Sequence, residues 1–238
     1  MTDTTSRTPG TTPAATVDTR MMAITHTAHR REIGLAAGLV RAVNAGDRRR
    51  VDIIAEHVTL CLALLDHHLA LEDTLLWPLL REREPPAATV LLERTVRGHE
   101  QVTDLLERAR ALLPAWRRTA DPGDAAALAA GLDDLAVAMS AQFDAEETDL
   151  MPLLTRTVTA HEWSTFVERG AEPVPASMMS VVLGMLLYEA DPAAVTATFP
   201  TVPAPLRRLL LASANRSFRR YATTIHATAT LARSTDRR

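Results

Sequence analysis

Two stretches of the chain carry one pattern. Residues 67–80 read HHLALEDTLLWPLL and residues 141–154 read AQFDAEETDLMPLL. Each sets a ligand-type polar residue four positions before a glutamate, adds a second acid, and ends in Pro-Leu-Leu. At that spacing His68 and Glu72 share one face of a helix, one turn apart. Gln142 and Glu146 hold the matching places in the second copy. Imidazole and carboxylate so placed on facing helices suit a metal held inside a bundle. Two imperfect copies predict two pseudo-equivalent helices around one centre.

The rest of the chain supplies partners for those helices. Hydrophobic residues are 47% of the total and aromatics only 4%, with Ala and Leu dominant. Both favour helix, and no run alternates β-branched with polar residues between turns, so the expected class is all-α. Helix A is predicted over 21–43, with an inward stripe of Met22, His26, His29, Ile33, Ala36, Val40 and Val43. Helix B covers 48–83, Pro78 being a candidate kink, with Ile54, Val58, Cys61, Leu65, His68, Glu72, Leu75 and Leu79 inward. Helix C covers 87–116 and turns Leu92, Val96, His99, Leu106, Ala109 and Leu113 inward. Helix D starts after Asp121-Pro122-Gly123, runs to 157, and turns in Leu128, Leu132, Leu135, Met139, Gln142, Glu146, Leu150 and Leu153. Steps of three and four mark the seam of a bundle helix, and short links make neighbours antiparallel. The prediction is an up-down-up-down four-helix bundle. Its stripes are apolar except at one level, where His26, His29, His68, Glu72, His99, Gln142 and Glu146 interrupt them. So many buried polar groups are costly unless they pair or coordinate a metal.

Three segments are expected: a disordered tail over 1–20, the bundle over 21–157, and a C-terminal helical extension over 158–234. The tail lacks the apolar core of a secretory signal. In the extension, a short helix at 159–169, a break at 173–175, an apolar helix at 177–190 and a turn at Asp191-Pro192 are expected. A Pro-rich connector at 200–205, helices to about 231 and a frayed end at 235–238 follow. The apolar run 174–188 is too short to span a bilayer. It is expected to cap the metal end of the bundle or to form a subunit interface.

Several classes drop out. The net charge is −3 with no basic face, so no nucleic-acid partner is expected. No lysine occurs, which excludes lysine Schiff-base chemistry and a P-loop. Cys61 is the single cysteine and is expected to be buried and inert. A soluble cytoplasmic protein without membrane attachment follows, its oligomeric state open. His57 and His67 flank the seam of helix B as supporting or surface residues. His161 and His226 read as surface or capping residues, and Met178, Met179 and Met185 as core filler. Asp73, Glu147 and Asp149 read as solvated or paired with Arg, with support of the ligands as the alternative.

The set His26, His68-x3-Glu72, His99 and Gln142-x3-Glu146 resembles the hemerythrin-like, or HHE cation-binding, family. The likeness covers about 21–157, and the phrases ITHTAHRREI, RGHEQV, AHEW, LLYEADP and IHATAT resemble long members with a C-terminal extension. The resemblance implies a non-haem di-iron centre, with manganese as an alternative. It implies a protein that binds O2, NO or peroxide, senses oxygen or iron, stores iron, or oxidises substrates. It assigns His26, His68, Glu72, His99 and Glu146 as metal ligands. Gln142 departs from it, for a histidine is expected there, and an amide oxygen is the weaker donor. His29, close to His26 on the same stripe, is the candidate replacement and joins the predicted ligand set. Whether such a chain is an enzyme stays open. The competing readings are an oxygenase whose organic substrate sits between Trp77, Met151 and the 177–187 helix, and a degenerate scaffold with no metal.

Overall fold

The computed structural model describes residues 17–84, 86–191, 193–195 and 202–227, and all regular structure among them is helical. Helices α1 (Arg20–Arg41), α2 (Arg48–Leu71), α4 (Ala87–Thr119) and α5 (Pro122–Ala145) form the bundle. α1 packs on α2 and α5, and α4 packs on α2 and α5, so the four close into a ring of antiparallel neighbours. The ends lie where the chemistry puts them. Asp47 caps α2 by accepting from the Arg50 N–H, and Asp121 caps α5 by accepting from the N–H groups of Gly123 and Asp124. Most of the predicted stripes are buried, from Met22 through Val40 on α1 to Leu128 through Gln142 on α5, but Val43, Leu75, Leu79 and Val96 are only half-buried, and beyond Glu72 the buried residues are Leu76 and Leu80, one position on.

Predicted helices B and D are not continuous. Each passes through one π-helical turn, Glu72–Leu76 and Glu146–Leu150, before continuing as α3 (Trp77–Arg83) and α6 (Met151–Thr157). The Trp77 N–H donates to the Glu72 carbonyl and the Met151 N–H to the Glu146 carbonyl, five residues back in each case. A proline follows at once, Pro78 or Pro152. Its ring clashes with the carbonyl four residues earlier and it has no N–H to give. The wide turn absorbs that misfit, and π turns of this kind cluster at functional sites. The expected kink at Pro78 is thus a π turn that opens at a predicted ligand, twice.

Two apolar clusters sandwich the polar level. One, built on Ile33, Val40, Ile54, Leu65, Leu106, Leu132 and Met139, fills the long half of the bundle. The other joins Met22, Leu76, Trp77, Leu92, Leu150 and Leu154 to Trp163 and Phe166 of α7 (Ala160–Arg169). A capping box of Thr159 and Glu162 starts α7. Arg48–Arg83 is long and apolar enough to cross a membrane by length and composition, but half of its most apolar window is buried in the bundle.

The extension differs from expectation. α8 (Met179–Leu187) packs on α9 (Ala204–His226) and on α1, while α9 also touches α2. The apolar helix therefore lies along the side of the bundle, and α7 packs against the Glu72–Leu76 turn at the metal end. The reason is a close fit. Gly184 has no Cβ, and one placed there would stand 2.2 Å from the Ala214 carbonyl oxygen. Met185, Phe218 and Ala222 then bury one another. Of the three methionines expected in the core only Met185 is buried, and Met179 is exposed. The expected disordered tail of 1–20 is corrected at its end: Val17 is buried, its N–H donates to the Thr155 carbonyl at 3.0 Å, and α1 begins at Arg20. Residues 1–16, part of the 200–205 connector and the segment past 227 lie outside the described residues.

Candidate metal centre

His26 of α1, His68 and Glu72 of the α2 run, His99 of α4 and Glu146 of the α5 run converge at the polar level, and all five are buried. Their ligand atoms fall into two groups, His26–His68–Glu72 and Glu72–His99–Glu146, each within a 4.8 Å sphere of mutual distances. Glu72 belongs to both. Its Oε1 lies 3.3 Å from His68 Nε2 and 3.7 Å from His26 Nε2, and its Oε2 lies 3.6 Å from His99 Nε2. Glu146 mirrors it, with Oε2 at 3.6 Å from His26 Nε2 and Oε1 at 2.8 Å from His99 Nε2. Most of these separations exceed a hydrogen bond. They match the spacing of about 3.4 Å between two atoms that share a tetrahedral ion at ~2.1 Å.

Glu72 Oε1, Glu72 Oε2 and Glu146 Oε2 are fully buried with no hydrogen-bond donor. Three such oxygens in one layer are a large cost for a folded protein unless a cation meets them. The titration behaviour points the same way. Burial disfavours charge on His26, yet the carboxylates of Glu147, Glu72 and Glu146 prevail and hold its pKa up at about 9. Burial is likewise outweighed at His99 by Asp73 and Glu146, which hold it at about 10. Burial and the facing Glu146 push Glu72 up to about 7. With only protons to share, the layer gathers positive charge onto His26 and His99, while burial holds the His68 pKa well below its ordinary value. A metal supplies that charge and leaves the rings free to coordinate.

Two acids aim the rings. Glu147 Oε1 lies 2.9 Å from His26 Nδ1, and Asp73 Oδ1 lies 2.9 Å from His99 Nδ1. Each carboxylate accepts a hydrogen bond from Nδ1–H and turns Nε2 toward the centre. Arg30 fixes Glu147 in turn, donating at 2.7 Å to Oε1, and reaches Asp144 at 2.8 Å. The ring of Phe143 stacks on His26 with centroids 3.8 Å apart. Asp73 and Glu147 are therefore neither simply solvated nor merely paired with Arg, whereas Asp149 faces Arg94 at 3.6 Å. Their signal in the sequence is the acid that directly follows each ligand glutamate.

Gln142 stands where the second copy predicts it. Its Nε2 donates to Glu146 Oε1 at 2.7 Å, on the His99 side. Gly98 makes room for it, because a Cβ there would lie 1.7 Å from Gln142 Oε1. His29 is buried but stands apart from both groups of ligand atoms. Its ring neighbours are His68, at 5.4 Å between centroids, and Phe143. It borders the His26–His68 side, and its ligand atoms are in neither group. Burial, reinforced by His26, pulls its pKa down to about 3. His67 lies at the surface with Nε2 donating to the Arg169 carbonyl at 2.8 Å, and His161 is exposed. His57 and His226 depart from their expected places: both side chains are buried, against Glu32.

Comparison with curated proteins and with solved structures gave no match. The family model described as the hemerythrin HHE cation-binding domain matches residues 19–154. That span holds all five converging residues and more than half of the chain. The chain belongs to the hemerythrin HHE cation-binding family.

Proposed function

We propose that the centre holds two iron ions, manganese being the alternative, and that the chain is a non-haem di-iron protein that binds or reacts with O2, NO or peroxide. The observation that carries this reading is the pair of buried carboxylates, Glu72 and Glu146, each reaching both histidine groups, with Glu72 Oε1, Glu72 Oε2 and Glu146 Oε2 lacking a hydrogen-bond partner among the described residues. Mixed imidazole and carboxylate donors suit iron and manganese. An iron pair bound there supplies redox chemistry toward small oxidants. The protein's part is to hold Glu72 and Glu146 between two positions, to orient His26 and His99 through Glu147 and Asp73, and to keep water out with the apolar layers on either side.

The two positions are unequal. His26 and His68 serve one, and His99 alone serves the other, where the family's usual histidine is replaced by Gln142. Fewer strong donors leave the His99 position open to an exogenous ligand. A groove of about 690 Å³ between α4 and α5 is lined by Arg94, Arg97, Gly98, Gln101 and Gln142. It gives a small anion or neutral oxidant an approach to that side, with the Gln142 amide as the last barrier before Glu146. An oxygenase with an organic substrate is less well supported. Trp77 and Met151 belong to the apolar cluster that includes Trp163 and Phe166, while α8 packs on α9 and α1. The intact five-residue set likewise weighs against a degenerate scaffold.

The test is to load the chain anaerobically with ferrous iron and follow its visible absorption on mixing with O2, hydrogen peroxide and NO separately. A new absorption band is expected with at least one of them, and none in Glu72→Ala or Glu146→Ala. A loaded wild-type chain inert to all three oxidants contradicts the reading.

A further inference from the structure

A second buried group of ligand-type side chains lies between the bundle and the extension. Glu32 of α1, His57 of α2 and His226 at the end of α9 place one ligand atom each within 4.8 Å of the others. Glu32 Oε2 lies 3.6 Å from His57 Nε2 and 3.6 Å from His226 Nε2. Both separations are too long for a hydrogen bond. Both suit two donors on one ion, for which about 3.4 Å is expected at bond lengths of ~2.1 Å. The side chains are 3%, 0% and 5% exposed for Glu32, His57 and His226, so water does not serve them from outside. Among the described residues Glu32 Oε2 and His226 Nε2 have no hydrogen-bond partner.

The surroundings hold these atoms in place. Arg31 Nε donates to Glu32 Oε1 at 2.7 Å, which occupies one carboxylate oxygen and leaves the other facing the histidines. Arg31 is itself fully buried, with contacts to the Met185 carbonyl at 2.6 Å and to Glu189 at 3.2 Å. The Tyr221 hydroxyl lies 2.9 Å from His57 Nδ1 and fixes that ring with Nε2 toward Glu32. Partners of this kind orient metal-bound imidazoles and carboxylates. Arg50 of α2 donates to the Thr224 carbonyl at 2.6 Å and to the Ile225 carbonyl, which holds the last turn of α9 against α2. His226 is delivered to the group by that anchor. Burial keeps the His57 ring neutral, with its pKa pulled down to about 4. Burial opposes ionisation of Glu32, but His226, Arg31 and His57 outweigh it and hold its pKa at about 2. A neutral imidazole and an ionised carboxylate are the forms that ligate.

We propose that Glu32, His57 and His226 form a mononuclear site for a divalent transition-metal ion, separate from the Glu72–Glu146 centre, that ties the C-terminal extension to the bundle. Two imidazoles and one carboxylate leave coordination positions for water or an anion, the donor set shared by zinc sites and non-haem ferrous sites. Cys61 stands 3.7 Å from His57 Nε2 but does not join the three-atom group. The buried Arg31–Glu32 pair alone explains Glu32 Oε1. It leaves Glu32 Oε2 and His226 Nε2 facing each other at 3.6 Å without a hydrogen bond, and the ion accounts for both.

The site is tested by zinc titration of chelator-treated full-length protein, read as bound zinc per chain, with circular dichroism confirming that each variant is folded. E72A/E146A removes the carboxylates of the first centre and should still bind one equivalent. Adding His226→Gln, whose amide can donate to Glu32 Oε2 and so spare the fold, should abolish that equivalent. In the otherwise wild-type chain, His226→Gln should lower the bound zinc by one per chain. This comparison decides the matter if E72A/E146A fails to fold. Equal zinc in wild type and His226→Gln, or an E72A/E146A chain that is folded yet binds none, overturns the proposal.

Discussion

At the scale of single residues, the centre divides into atoms that would touch metal and atoms that hold those atoms still. Glu72→Ala and Glu146→Ala should each strip most of the iron while the helices persist. Helix content rests on the apolar stripes, as circular dichroism alongside metal analysis will show. Asp73→Asn and Glu147→Gln keep every ligand but weaken the aim of His99 and His26. Each should reduce metal affinity by roughly 10–100-fold, the usual cost of losing such a partner, measured by competition with a chromogenic chelator. Gln142→His restores an imidazole four residues before Glu146 and should raise occupancy of the His99 position or change the oxidised spectrum. Gly98→Ala acts on the same residue from outside. The new Cβ displaces Gln142 from its bond to Glu146, so reaction with peroxide should change in rate at an unchanged iron content. The ligands were legible in the sequence because each breaks an apolar stripe at one level. The pairing of Asp73 with His99 and of Glu147 with His26 was not. It joins side chains on different helices, and no periodicity along one helix reports it.

At the scale of elements, the repeated Glu-x5-Pro spacing of Glu72 to Pro78 and Glu146 to Pro152 takes on a physical meaning. Each proline forces a wide turn, and each turn begins at a ligand glutamate. The sequence signals a break at Pro78 but not its form, since a kink, a stop and a π turn all relieve the same clash. The bundle helices were readable to within a few residues from their stripes and caps. The extension was readable as helices but not as to where they dock, because an apolar run of 174–188 specifies burial without naming the surface that buries it. Gly184 is the exception in retrospect, an isolated glycine in an apolar helix that marks a close crossing. Gly184→Ala should push α8 from α9 and lower stability by roughly 1–3 kcal/mol, as overpacking does, read by urea unfolding. Removal of everything after Arg169 should expose Leu35 and Arg31 on α1 and reduce solubility. Because α7, which packs against the Glu72–Leu76 turn, is retained, the same truncation should leave iron reactivity unchanged, as stopped-flow mixing with oxidant will check.

At the scale of the whole molecule, stability and metal binding are linked through the protons on the buried layer. In chelator-treated protein, His26 and His99 have folded-state pKa values of about 9 and 10, above the ordinary 6.5. A pKa raised in this way stabilises the fold fully below about pH 6.5, and the contribution is lost as the pH climbs through 9 and 10. Glu72, raised from 4.5 to about 7, adds a penalty that develops in the same direction between those two values. The melting temperature of chelator-treated protein should therefore fall from pH 6.5 to 10. A bound cation replaces those protons, so the extra stability conferred by metal should grow over the same interval. A chelated protein whose melting temperature rises with pH there would count against charged His26 and His99.

The central claim is that Glu72 and Glu146 bridge two metal positions. Anomalous diffraction at the iron edge from iron-loaded crystals tests it most directly. The account predicts two peaks in the polar layer, one bordered by His26 and His68 and the other by His99, with Glu72 and Glu146 reaching both, whatever further ion lies at Glu32. A single peak in that layer, or none touching both glutamates, would contradict it.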